Sequence, residues 1–236
     1  MPHDHHDHGH DHGHGHDHGH DHGAGMSPSG HPYRADNDAP LSHWQCMEIA
    51  LRELIVEKGL ATEAEIAAQI ERMDARTPAL GAQVVARAWT DPDFKARLLA
   101  DGSSACRELG VAVEAMKLVV VENTEDVHNV VVCTLCSCYP RNLLGLPPDW
   151  YKSRAYRSRA VSEPRAVLAE FGVALADGVA LRVHDSTADM RYLVLPRRPA
   201  GTSDWPEERL AALVGRDAMI GTGLATAPES VAEPAE

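Results

Sequence analysis

Three of the five cysteines in this 236-residue chain lie within six positions, at Cys133, Cys136 and Cys138. They follow a run of mostly β-branched residues from Val127 to Val132, which favours a buried strand. Three thiols at the end of one strand must share a small volume, and their spacing fits no simple disulfide framework. The fold must therefore present this segment as a metal or redox site.

The charge and hydropathy of the chain argue against several classes of protein. Its 22 Lys+Arg against 35 Asp+Glu give a net charge of -13, which is unsuited to nucleic acid or anionic lipid. No apolar run approaches the about 20 residues that span a bilayer. Residues 1–22 alternate His, Asp and Gly where a signal peptide would place apolar residues. We expect a cytoplasmic protein with no membrane or nucleic-acid partner.

The first 30 residues have an unusual composition, with 11 of the 15 histidines, five aspartates and no Lys or Arg. Low complexity and a lack of apolar residues leave nothing to offset the entropy of ordering, so the segment is predicted to be disordered. Histidine-rich tracts bind divalent metals such as Zn, Ni or Co. A metal-gathering segment and an inert solubilising one both remain open.

A helical pattern begins near Leu41 and fills the rest of the first half. Apolar residues recur at helical spacing from Met47 to Ile55, and Thr62 with Glu65 forms a capping-box signature for a second helix. Further helices are predicted over residues 81–89 and after Asp91-Pro92.

The second half mixes strands and helices. Strands are predicted at residues 118–121, 127–132, 179–183 and 191–195, with a helix capped by Ser162 and closed at Gly172, and another helix after Pro206. The predicted fold class is α+β, with an N-terminal helical arm followed by a mixed α/β layered domain that carries the metal-site loop. The expected parts are a disordered tail (1–30), the helical arm (31–116), the metal-binding catalytic domain (117–222) and a flexible C-terminal tail (223–236).

Two kinds of metal site fit the cysteine spacing. Cys-x-x-Cys chelates zinc readily, and His128 could complete a tetrahedron. The single residue between Cys136 and Cys138 strains that geometry. A metal that accepts deprotonated amides would gain three fused chelate rings from the Cys136 sulfur, the Ser137 and Cys138 nitrogens and the Cys138 sulfur. Cys133 would then be axial and a sixth position open, which suits a trivalent Lewis acid.

The segment Cys133-Thr134-Leu135-Cys136-Ser137-Cys138 resembles the metal motif of nitrile hydratase α-subunits and of their close relative, thiocyanate hydrolase. The resemblance extends from about Trp44 to Gly221 and is supported by four further stretches, at residues 119–124, 144–152, 191–196 and 198–202.

The resemblance implies a non-corrin Co(III) or Fe(III) centre held by the thiolates of Cys133, Cys136 and Cys138 and by the Ser137 and Cys138 amides. Thr134 goes with cobalt rather than iron in this family. The family also oxidises two ligands, so Cys136 should become a sulfinate and Cys138 a sulfenate, while Cys133 stays a thiolate.

The resemblance further implies that the chain hydrates a small nitrile to an amide, and only together with a β-subunit. The sulfenate of Cys138 is expected to be the nucleophile or the base that activates water. The helical arm is expected to contact the β partner, which could be one chain or two, in an α2β2 or higher assembly. An activator or cobalt-delivery protein is a further candidate partner.

A second group of residues resembles the strand and turn that support the site in this family, namely Asp185, Asp189 and Arg191. Asp189 stands where relatives more often have Glu. The alternative is a solvated turn with an ordinary surface ion pair, which would contribute about 0–1 kcal/mol.

Arg141 departs from the family pattern, since most nitrile hydratases have Trp after Tyr139-Pro140, whereas thiocyanate hydrolase γ-subunits have Arg. An arginine near the mouth of the substrate channel would favour an anion such as thiocyanate or a polar nitrile. The alternative is a partner-facing salt bridge. A thiocyanate hydrolase γ-subunit and a non-catalytic metal-storage protein therefore remain competing hypotheses.

Overall fold

A computed structural model describes residues 40–111 and 117–228. The tail predicted for residues 1–30 lies outside the described residues, as do residues 229–236 of the predicted C-terminal tail. Within the described ranges, the helices are α1 (His43–Glu57), α2 (Glu63–Asp74), α3 (Ala79–Thr90), α4 (Pro92–Ala100), α5 (Gly102–Glu108), α6 (Arg141–Leu144), α7 (Asp149–Lys152), α8 (Arg154–Ser162), α9 (Pro164–Glu170), α10 (Glu207–Ala211) and α11 (Arg216–Ile220). The strands are β1 (Lys117–Glu122), β2 (Val127–Val132), β3 (Ala180–Asp185) and β4 (Met190–Leu195).

The chain divides into two compact units between Leu60 and Ala61. In the first unit, α1 begins at a capping box in which Ser42 and Gln45 exchange hydrogen bonds, and Gly59 follows its end with a φ of +65°. Both features satisfy backbone groups that a helix end leaves unpaired. The helix predicted from the apolar spacing is therefore confirmed, although none of its residues is buried.

The second unit contains the remaining helices and all four described strands. The predicted capping box of Thr62 and Glu65 begins α2. Asp91 accepts a hydrogen bond from the Phe94 amide, and Pro92 occupies the first turn of α4. Helices α3, α4 and α5 share one hydrophobic core with the strands, through residues that include Val85, Leu98 and Cys106.

The strands form two parallel pairs, β1 with β4 and β2 with β3. Parallel pairs need long crossover connections, and here the segment between β2 and β3 contains α6 to α9. Val130, Val131 and Val132 of β2 are at most 2% exposed, as expected for a strand covered on both faces. The predicted strands and the α+β class are confirmed.

The helix predicted to begin at Ser162 begins instead at Pro164. Ser162 is the last residue of α8 instead of the cap of a new helix, and α9 begins at Pro164. Proline favours the first position of a helix and disfavours helical backbone in the residue before it, which separates the two helices at Glu163. The predicted end is confirmed, because Gly172 follows α9 with a φ of +80°. The helices α6, α7, α8 and α11 were not predicted.

No helix among the described residues is both long and apolar enough to cross a membrane.

Candidate metal centre

The parallel pairing of β2 and β3 brings two polar segments to the same sheet edge. Val132, the last residue of β2, lies opposite Asp185, the last residue of β3. The Ser186 amide extends this ladder by donating to the carbonyl of Val132 over 2.7 Å. The cysteine loop that follows β2 and the carboxylate that ends β3 therefore leave the sheet side by side.

Asp185 holds the beginning of the cysteine loop through two hydrogen bonds. The backbone amide of Thr134 donates to Oδ1 over 2.9 Å, and the Thr134 hydroxyl donates to Oδ2 over 2.6 Å. A carboxylate that receives both donors of one residue restrains its backbone and its side chain together. Of the predicted supporting residues, Asp185 thus makes direct contact with the loop.

The loop brings the three thiols together. The Cys136 sulfur lies 3.5 Å from that of Cys133 and 3.3 Å from that of Cys138. All three sulfurs lie within 4.8 Å of one another, a separation that one metal ion can bridge. Cys133 is 1% exposed, Cys138 is partly exposed, and Cys136 faces solvent.

The hydrogen bonds in the cluster favour thiolate character at Cys136. Its pKa is lowered by hydrogen bonds from Cys138 and Cys133 and by the backbone N–H groups of Ser137 and Cys138, which point to its sulfur. Burial and the sharing of hydrogen bonds with the other two thiols raise the pKa of Cys138 to about 12, and the charge of Arg191 opposes that rise. A bound cation would relieve this competition among the three thiols, and three sulfur donors held together are a donor set that fits a metal.

Two buried tyrosines hold the backbone on either side of the cluster. The Tyr151 hydroxyl donates to the carbonyl of Cys138 over 2.9 Å, and the Tyr156 hydroxyl donates to that of Val131 over 2.7 Å. Neither tyrosine is among the site residues predicted from the sequence. A buried hydroxyl needs a partner, but the sequence does not reveal which carbonyl provides it.

His128 does not complete a tetrahedral zinc site. It is 4% exposed, and its Nε2 lies 2.7 Å from the carbonyl of Gly221, while its Nδ1 accepts from the side-chain amide of Asn123. Burial lowers its pKa, which favours a neutral structural imidazole. In residues 40–111 and 117–228, no fourth His, Cys, Asp or Glu joins the three thiols.

A cavity of about 490 Å³ opens beside the loop. Cys136, Ser137 and Cys138 line it together with Arg141 and Arg191. Four of the predicted site regions therefore meet at one place: the cysteines, the intervening serine, the channel residue and the supporting arginine.

Asp189 is the predicted site residue that does not join them. It lies exposed in the turn between β3 and β4, and its backbone carbonyl accepts a hydrogen bond from the Lys117 amide. Its carboxylate contacts no hydrogen-bond donor among the residues that the structure describes, which matches the alternative of a solvated turn.

Together, the fold and the site define a protein of the α+β class with a thiolate metal centre at the carboxyl end of a parallel strand pair. The sequence matches the family described as "Nitrile hydratase, alpha chain" over residues 42–223. The chain belongs to this nitrile hydratase α-chain family.

Individual relatives agree with this assignment. The chain is 54% identical over 181 residues to the low-molecular weight cobalt-containing nitrile hydratase subunit alpha of Rhodococcus rhodochrous, covering 76% of this chain and 87% of that protein. The thiocyanate hydrolase subunit gamma of Thiobacillus thioparus is 40% identical over 196 residues, covering 78% and 81%. A double mutant of the Fe-type nitrile hydratase from Comamonas testosteroni Ni1 superposes with a TM-score of 0.77 at 42% identity, covering 84% and 98%.

Proposed function

We propose that this chain is the α-subunit of a cobalt nitrile hydratase, which adds water to a nitrile to form the amide. The observation that carries this proposal is the cluster of three sulfurs within 4.8 Å, in a chain of this family. Cobalt is preferred to iron because the relative with 54% identity is named as cobalt-containing and because Thr134 stands in the motif.

Cys133, Cys136 and Cys138 would hold the Co(III) ion through sulfur, and Ser137 and Cys138 would also hold it through their backbone nitrogens. When bound, cobalt supplies Lewis-acid activation of the nitrile carbon toward water. Cys136 is proposed to be a sulfinate and Cys138 a sulfenate. The accessibility of the thiols supports this, since these two face the cavity, whereas Cys133 is 1% exposed.

The side chains around the loop have separate tasks in this proposal. The oxygen on Cys138 either accepts a proton from the attacking water or itself attacks the nitrile carbon. Arg191, whose charge already acts on Cys138, stabilises negative charge there. Tyr151 fixes the Cys138 carbonyl, and Asp185 fixes Thr134, so the loop is restrained at both ends.

A β-subunit is the proposed partner, because the relative with 54% identity is named as an alpha subunit. Exposed apolar side chains next to the site support a covering surface. Leu135, between the first two cysteines, is 87% exposed, and Ile70 on α2, a helix with no buried residue, is 49% exposed. We propose an α2β2 or higher assembly in the cytoplasm, loaded with cobalt by a delivery or activator protein.

Thiocyanate hydrolysis is the second candidate, and two observations favour it: the 40% identical γ-subunit and the position of Arg141 in the cavity. Metal storage is a third. The experiment is to co-express the chain with its partner and to measure metal content, the mass of the peptide over residues 131–139, and turnover of nitriles and of thiocyanate. One cobalt per chain, added oxygen on Cys136 and Cys138, and amide formation are expected.

Each competing hypothesis predicts a different result. Zinc at one per chain, with no cobalt or iron, would contradict the proposed centre. Unmodified thiols would favour storage. Carbonyl sulfide released from thiocyanate without amide formation from any nitrile would favour the hydrolase.

Asp185→Ala is expected to lower cobalt affinity or turnover by about 10- to 100-fold, the range typical of groups that orient metal ligands. The reason is the loss of both hydrogen bonds to Thr134. Cobalt content after dialysis against a chelator and kcat are the measurements. Asp189→Ala is the matched control, because this exposed carboxylate lies only four residues away and is expected to leave both quantities unchanged. Equal losses in the two variants would contradict the role given to Asp185.

A further inference from the structure

The cavity beside the cysteine loop has a charge opposite to that of the chain as a whole. Three guanidinium side chains line it, from Arg76, Arg141 and Arg191, and no Asp or Glu of the described residues does. The whole chain carries a net charge of -13. A cavity lined by charges of one sign raises the local concentration of ligands with the opposite charge.

Two of these arginines lack the ion pairs that several other arginines of the described residues form. Arg97 pairs with Glu108, Arg159 with Glu163 and Glu170, and Arg197 with Glu125. Neither Arg141 nor Arg191 forms an ion pair with any residue in the described ranges. The Nε of Arg191 is buried without a hydrogen-bond partner, and one terminal nitrogen makes only a 3.4 Å contact with the Met190 carbonyl.

Arg191 and Arg141 line the cavity from two different elements, β4 and α6. Arg191 is partly buried at the second position of β4, and its Nε is buried. Arg141 is exposed at the first position of α6, two residues after Tyr139. Among the described residues that line the cavity, Arg141 is an exposed cation without an ion pair.

The backbone beneath Arg141 is held firmly. Leu143 and Leu144 of α6 are at most 1% exposed. Gly145 follows the helix with a φ of +72°. Its backbone packs against Arg76, because a Cβ at this position would lie 2.3 Å from the carbonyl oxygen of Arg76. The side chain of Arg141 therefore projects from a rigid support, which reduces the entropy lost when it binds a ligand.

We propose that the cavity selects nitriles that carry a carboxylate, with Arg141 as the residue that contacts the carboxylate. This proposal deepens the proposed function and depends on it. A planar guanidinium binds a carboxylate through two parallel hydrogen bonds, and a volume of about 490 Å³ suits a small molecule. A carboxylate bound there places the rest of a short substrate beside Cys136, Ser137 and Cys138.

The test uses the cobalt-loaded complex and pairs of substrates in which one carboxylate is replaced by its neutral methyl ester, such as 3-cyanopropanoate and methyl 3-cyanopropanoate. The wild-type complex is expected to favour the carboxylate by at least about tenfold in kcat/KM, because a hydrogen bond to a charged group contributes a factor of about 10 to 100. Arg141→Ala is expected to remove this preference while it leaves the ester within about twofold. Arg141→Lys should retain part of the preference.

Arg154→Ala is the matched control, since this exposed arginine lies outside the cavity and should leave the preference intact. Calorimetry supplies a readout independent of turnover: succinamate, the product of 3-cyanopropanoate, should bind the wild-type complex at least about tenfold more tightly than the Arg141→Ala complex.

The outcomes separate this inference from the proposed function. Equal or better turnover of the ester by the wild-type complex would overturn the inference and leave nitrile hydration standing. An equal loss for both substrates in Arg141→Ala, or dissociation of the partner, would also overturn it, because Arg141 would then be an interface residue. Hydration of no nitrile at all would overturn both.

Discussion

Cys136→Ala is expected to leave the purified complex with less than about a tenth of a cobalt ion per chain and to lower turnover by more than about 100-fold. Removal of groups that merely orient metal ligands already costs about 10- to 100-fold. The sulfur of Cys136 lies between the other two, at 3.5 Å from Cys133 and 3.3 Å from Cys138, so its loss leaves two thiols without their common neighbour. Elemental analysis after chelator dialysis and amide formation are the measurements.

Cys46→Ala is the control for loss of an exposed thiol, because Cys46 lies on α1, outside the cluster. It should retain full cobalt and activity. Deletion of residues 1–24, which hold the histidine-rich sequence, should also leave the turnover of the cobalt-loaded complex unchanged. Full cobalt retention in Cys136→Ala would contradict the proposed ligand set, and loss of activity in the deletion at saturating cobalt would give the histidines a direct role.

Gly221→Ala is expected to destabilise the second unit by about 3–5 kcal/mol, the upper range for single substitutions. Gly221 has a φ of +88°, and a Cβ there would lie 1.9 Å from the carbonyl oxygen of Asn129 in β2. Backbone atoms in a buried strand cannot move aside without breaking the ladder. The carbonyl of Gly221 also contacts His128, so any shift disturbs that contact as well. Urea or thermal unfolding measures the effect.

Gly172→Ala is the matched control for backbone conformation alone. Gly172 has a similar φ of +80°, but a Cβ there would meet nothing within 4 Å. Its expected cost is about 1–2 kcal/mol, from the left-handed conformation only. If the two variants lost equal stability, the close approach of Gly221 to β2 would not be the cause.

Features that depend on neighbouring residues could be predicted from the sequence. The capping box at Thr62, the strands at Val127–Val132 and Met190–Leu195, and the gathering of the three thiols arise within a few residues of chain. The short spacing of the cysteines alone forces their sulfurs together.

Features that depend on distant residues could not be predicted in this way. The partner of each strand is set by packing across the core, so the sequence did not show that Asp185 would lie opposite Val132. The partners of the Tyr151 and Tyr156 hydroxyls depend on the same packing. The break before Pro164 is different, since the proline itself could have indicated it.

The parallel ladder between β2 and β3 aligns the cysteine loop with Asp185 independently of the turn that precedes β3. Val132 faces Asp185 through strand register, while residues 176–178 just before β3 are exposed, and Gly178 has open space around it. Exposed turns of this kind tolerate insertion and circular permutation. A cut or an insertion in this turn should therefore leave the cysteine loop aligned with Asp185, so the site could be assembled from two polypeptides that meet at the β2–β3 ladder.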